Sequence, residues 1–110
     1  MKPPEVGLLI PCYRTRALTE LCFKYLFANT DLTRVQIIAV DNNSGDGTAE
    51  YLKTLPNVTL IERVPEGESG PQMHAKALDD ALELVSAPLV IAMHTDTIVL
   101  RPDWLDFLLE

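Results

Sequence analysis

Cysteine is scarce: the 110-residue chain holds two, Cys12 and Cys22, with no Cys-x-x-Cys pair. Neither a disulfide framework nor a thiolate zinc site is available to it. One bridge is the most that the two thiols allow, and Cys22 falls on the apolar face of an expected helix, so both are read as free. Basic residues are few. Nine Lys and Arg stand against sixteen Asp and Glu, leaving a formal charge of −7. Phosphate backbones are gripped by clustered Lys and Arg, so no nucleic-acid partner is expected, and the same sign disfavours an anionic membrane surface. Long hydrophobic runs are missing too. The longest, residues 6–10 and 89–93, hold five residues each, against ~20 for a bilayer span, so no membrane segment is expected. The N-terminus carries one Lys before Pro3, Pro4 and Glu5 and lacks the pattern of a secretory signal, which makes the cytoplasm the expected location. With 47% hydrophobic residues, a chain of this size buries roughly 65% of its unfolded surface, which argues against disorder.

No repeat, low-complexity tract or Gly/Ser linker divides the chain, so residues 1–110 are read as a single domain. Residues 6–10 form a compact apolar run stopped by Pro11, as a strand buried on both faces would. In residues 15–28 the spacing of Leu18, Leu21, Cys22, Tyr25 and Leu26 predicts an amphipathic helix capped by Thr15. Residues 35–40 are a second strand, running into Asp41 and the turn-rich Asn42 to Gly47. A short helix over 48–55, a strand over 58–64 and a mobile surface loop over 65–71 follow. Ala77, Leu78, Ala81, Leu82 and Val85 mark the buried face of a helix that Pro88 ends. Residues 89–93 are the fourth strand, and Pro102 opens a last helix with Trp104, Leu105, Leu108 and Leu109 on its buried side. Alternating strands and helices imply an α/β fold: an open, mostly parallel sheet with helices on both faces, Rossmann-like. Ligands then belong at the strands' carboxyl ends, where residues 11–14, 41–47 and 94–97 meet.

The first of these loops contains no glycine, so it is neither a dinucleotide fingerprint nor a P-loop. Asp41 stands where an acidic side chain accepts from a ribose hydroxyl or a base N–H, or else caps a turn. Asp46 before Gly47 and Thr48 fits a helix start equally well. His94-Thr95-Asp96-Thr97 places an imidazole and a carboxylate two positions apart after an apolar strand. Such a pair either finishes a strand-to-turn exit or holds a divalent cation whose shell phosphate oxygens and waters complete.

Together the three loops resemble family 2 glycosyltransferases, the nucleotide-diphospho-sugar-dependent enzymes of the GT-A fold. VGLLIPCYR from Val6 to Arg14 is similar to that family's strand and Pro-x-Tyr-Asn, with Arg14 where Asn is commonest. VDNNSGDGT from Val40 to Thr48 resembles VDDGSTDGT, and IAMHTDT from Ile91 to Thr97 resembles the strand leading into Asp-x-Asp. RPDWLDFL fits the family's later helix start. The resemblance implies a nucleoside pocket shaped by Pro11, Tyr13 and Arg14, with Asp41 at the base and Asn43 or Ser44 lining the same cleft. It further implies Asp96 facing a divalent cation, Mn²⁺ or Mg²⁺, and the diphosphate. A cation there would neutralise the leaving group, so the acidic charge of the chain is no objection. Two positions depart from the pattern. His94 replaces the first Asp, and around residues 70–80 His74 and Lys76 stand in place of an Arg-Asn pair. Lys76 is either a cation for the diphosphate or a solvated helix residue, and His74 reads as an ordinary helix-surface residue.

The family's acceptor pocket and catalytic base lie past the Asp-x-Asp region, and no carboxylate after Asp96 matches that base, so the catalytic residue is unassigned. The resemblance implies the donor-binding part of an inverting, cation-assisted glycosyltransferase using a uridine or thymidine diphosphate sugar, truncated before its acceptor-binding half. The alternative is a non-catalytic nucleotide or nucleotide-sugar binding module. A purely structural α/β domain is the third reading. An uncovered edge strand and the apolar last helix also make a homo-oligomer an expectation.

Overall fold

The structure, a computed structural model, describes residues 3–110. Four apolar, β-branched segments become strands: β1 (Val6–Cys12), β2 (Val35–Asp41), β3 (Val58–Glu62) and β4 (Leu89–Ala92). They form one all-parallel sheet in the order β3-β2-β1-β4. The connections carry α1 (Arg16–Ala28), α2 (Thr48–Lys53) and α3 (Gly70–Leu82), and α4 (Trp104–Leu109) follows β4. Parallel neighbours need such crossovers, and helices on the faces explain why the two central strands are apolar almost throughout.

The period of two along the central strands divides the core. Val6, Leu8 and Ile10 of β1 with Val35, Ile37 and Ala39 of β2 join Cys22, Phe23 and Leu26 of α1, Leu52 of α2 and Leu105 of α4 on one face. Leu9, Ile38 and Val40 point the other way, onto Ala77 and Ala81 of α3. Fully buried Leu and Ile side chains of this kind contribute roughly 1.5–3 kcal/mol each. Gly7 lies on the α3 side, where a Cβ would come within 3.1 Å of a Val85 methyl; its missing side chain lets Val85 rest directly on the strand.

Several expected boundaries and faces shift. β1 runs through Pro11 to Cys12 rather than stopping at residue 10. Met93 N–H donates to the Leu9 carbonyl and Asn42 N–H to that of Cys12, so alternate residues face β4 and β2. Pro11 faces the β4 side just past the last paired residue, Leu9, and its missing N–H costs no ladder bond. On α1 the buried residues are Thr19, Cys22, Phe23 and Leu26, whereas Leu18 and Leu21 are exposed. The stripe is rotated because Thr19 turns inward, its hydroxyl within 3.3 Å of the Thr15 hydroxyl. Burial pushes the Cys12 thiol up to about 12 and the Cys22 thiol up to about 11, keeping both neutral. Both are free. α2 ends at Lys53, and α3 begins at Gly70 with Pro71 in its first turn and a Ser69–Gln72 capping box. β4 is an exposed edge among the described residues, with Leu89 and Val90 about half accessible, and on α4 Leu105 is buried but Leu108 is not. Among the described residues no helix is long and apolar enough to cross a membrane.

Candidate functional site

Strand order reverses beside β1: successive strands step outward through β2 and β3, and the chain then returns to place β4 on β1's other side. Crevices at such switch points are where open α/β sheets hold ligands. Here a cavity of about 220 Å³ opens between the β1 and β4 ends. Pro11, Tyr13, Asn42, Met73, His74 and His94 are among its lining residues.

The β1 and β2 ends are locked to each other. Arg14 N–H donates to Ser44 Oγ at 2.8 Å, and the Ser44 hydroxyl donates to Asp41 Oδ1 at 2.5 Å. Asp41 and Ser44 are both buried, and Asp41 Oδ2 receives only a long 3.4 Å bond from Ser44 N–H. That carboxylate keeps lone pairs for a further donor. Arg14 and Asn43 adopt left-handed backbone conformations, φ 53° and 56°, of the kind concentrated at binding loops. The Arg14 guanidinium stacks 5.0 Å from the Tyr13 ring centroid. Asp46 precedes the α2 cap residue Gly47: its Oδ1 accepts from Thr48 Oγ1 at 2.5 Å and from Thr48 N–H, and the Thr48 hydroxyl holds its carboxyl below the usual range. Gly47 has φ 89°, a left-handed backbone that side chains rarely adopt, so this turn favours glycine.

The β4 end is built differently. Thr95 is buried, while His94 and Asp96 on either side face outward. Thr95 Oγ1 meets Thr15 Oγ1 at 3.0 Å, tying the loop to the start of α1. Thr15 occupies the expected cap position, yet its hydroxyl serves Thr95 and Thr19 rather than the helix N–H groups. His94 stacks on His74 of α3.

Behind the cavity, Arg63 follows β3 with its side chain largely buried. It donates to Asn42 Oδ1 at 3.2 Å, pairs with the buried Glu68 carboxylate, and lies 3.6 Å from Asp80. The segment expected to be a mobile loop is thereby tied to the β2 end. The hydrogen bond from Arg63 lowers the Glu68 carboxyl to about 2. Lys76 is exposed, its Nζ 3.9 Å from the same carboxylate, and it does not line the cavity.

The sequence matches Glycosyl transferase family 2 over residues 8–110. The chain belongs to that family. No protein of curated function matches it significantly. Among solved structures, this family 2 chain resembles the mannosyltransferase PcManGT from Pyrobaculum calidifontis in complex with GDP-Man and Mn²⁺. The TM-score is 0.75 at 24% identity, with 96% of this chain and 31% of that one covered. It also resembles S. aureus TarS 1–349 in complex with UDP, TM-score 0.77 at 18% identity, with 96% and 31% covered. TarS with UDP-GlcNAc gives 0.71 at 19% identity, with 96% and 30% covered. The likeness establishes the GT-A fold, and this chain spans less than a third of the length of each of these proteins.

Of the residues singled out from the family 2 motifs, Pro11, Tyr13 and His94 share the switch-point cavity. Asp41 and Asn43 line a separate depression with Gly45, Glu50 and Glu62. Asp96 is exposed on the β4 loop. Among the described residues no group of three or more His, Cys, Asp and Glu could hold a metal. One imidazole and one carboxylate are the donors that the β4 loop presents outward. A divalent cation held by such a set would draw its remaining ligands from phosphate oxygens and water. Sequence reading missed Asn42, Thr95 and His74 as cavity residues. The alternation of Thr95 between two outward neighbours was the one available signal for the second of these.

Proposed function

We propose that this chain is one nucleotide-sugar-binding domain, the donor-binding part of an inverting glycosyltransferase. The observation that carries the reading is the cavity at the β1–β4 switch point, bounded by Tyr13 on one strand end and His94 on the other. Tyr13 and Arg14 offer a ring and guanidinium surface to the nucleoside. The preset Asp41 carboxylate accepts a base N–H, and Asn43 and Ser44 complete that wall. Asp96 and His94 hold a divalent cation, Mn²⁺ by preference because an imidazole suits it better than Mg²⁺. When bound, the cation neutralises charge building on the departing diphosphate. Lys76, an exposed lysine 3.9 Å from the Glu68 carboxylate, is the cation that α3 offers to the diphosphate. The structures with GDP-Man, UDP and UDP-GlcNAc support a nucleoside diphosphate sugar as donor, and the family motifs favour a uridine or thymidine base. No carboxylate of this chain is assigned as the base that activates the acceptor hydroxyl. Two free, buried thiols accord with a reducing cytoplasm.

Titration calorimetry with UDP tests the reading. Binding strengthened by Mn²⁺ and losing that increment in Asp96→Ala is the expected result; absence of UDP binding in either condition refutes it. A non-catalytic nucleotide-binding module has one observation in its favour, the small donor set on the β4 loop. UDP affinity indifferent to Mn²⁺ would select that module.

A further inference from the structure

The two histidines of the chain come from different elements and meet face to face. Their ring centroids are 4.8 Å apart and their planes 3° from parallel. Both line the switch-point cavity. The two rings differ in how firmly they are held. His74 is half-buried on α3, whose start is fixed by the Ser69–Gln72 capping box and Pro71 and whose Ala77 and Ala81 are fully buried against the sheet. His94 is exposed on a loop anchored by its neighbour Thr95. An exposed imidazole free to rotate must lose that freedom when it meets a ligand, which weakens binding. A stack against a helix-borne ring removes the rotation beforehand. Imidazole lone pairs lie in the ring plane, so two parallel rings this far apart aim their nitrogens side by side and do not converge on one ion.

We propose that His74 is a positioning residue of the donor site, whose ring fixes the plane in which His94 meets the cation-bearing diphosphate. The inference rests on the reading given under Proposed function and adds a residue to it. The role belongs to the ring face and not to a His74 nitrogen.

Two measurements on the 110-residue chain test it. In proton NMR the two Hε1 signals report the stack directly: His74→Ala removes the ring-current shift of His94, and His74→Phe retains one. In UDP titrations with Mn²⁺, His74→Ala loses about tenfold in the cation-assisted affinity, the scale of losing a residue that orients a metal ligand. His74→Phe restores it, and the loss in His74→Ala is larger with Mn²⁺ than without. Wild-type affinity in His74→Ala, or His74→Phe as weak as His74→Ala, overturns the proposal alone. A wild-type chain that binds no UDP overturns the donor-site reading and this inference with it.

Discussion

The loop after β2 and the loop after β4 reach the same sheet edge but are built in opposite ways. From Asp41 to Thr48 the chain is closed on itself: Asp41, Asn42, Ser44 and Thr48 are buried, and Ser44 and Asp46 join the loop to the β1 end. From His94 to Thr97, one buried side chain, Thr95, holds the segment, and its neighbours face water. The wall proposed for the nucleoside is rigid before any ligand arrives. The side proposed for the cation is open, with shape supplied by one hydroxyl pair, one ring stack and the turn bond from Thr97 N–H to the His94 carbonyl. Stability and ligand affinity should therefore respond to different residues.

The largest expected effect is on the closed side. Asp41→Ala removes the acceptor of the buried Ser44 hydroxyl and should cost about 2–3 kcal/mol in urea unfolding, the range for bonds to a charged group. A loss below about 0.5 kcal/mol would show that this loop is not held as described. Thr95→Val, nearly equal in shape, deletes the bond to Thr15 and should cost about 1 kcal/mol, with Thr95→Ser recovering most of it. Equal losses in both replacements would trace the effect to packing instead. Acid sensitivity comes next. The Glu68 carboxyl is lowered by Arg63 to about 2 from an ordinary value of 4.5. The folded state binds the proton less readily than the unfolded chain, so the contribution is complete above the ordinary value and fades as pH falls toward about 2. Glu68→Gln should flatten stability across that window, and an unchanged slope would reject the assignment. The smallest effect is at Asp96: Asp96→Ala should leave unfolding within about 0.5 kcal/mol of wild type, because the side chain is exposed. A large destabilisation would erase the contrast between the two loops.

Much of this was legible in the chain itself. The apolar runs ending at Pro11, Asp41 and Met93 located three parallel strands and the edge where they finish, because periodicity and turn chemistry are local. The Asp41 to Thr48 motif was legible for the same reason, since the side-chain bonds of Asp41 to Ser44 and of Asp46 to Thr48 span three residues or fewer. What escaped were contacts across the fold. Thr19 reads as polar in a helical wheel, and its inward turn is matched by Cys12 on β1 and by Thr15, which Thr95 holds from across the fold. Arg63 and Glu68 look like charges on a surface loop until β2 and α3 are placed on either side of them. His74 has nothing in its own helix to mark it, since its partner lies on the far side of β4 in sequence.

The alternation at the β4 exit, with a threonine anchored inward and a residue turned out on each side, separates upkeep of the scaffold from whatever the loop presents to a ligand. Either outward position accepts a different donor atom without disturbing the interior. Under the proposed reading, histidine in place of a carboxylate at residue 94 is an exchange of donor atom that leaves Thr95 and the sheet edge as they are.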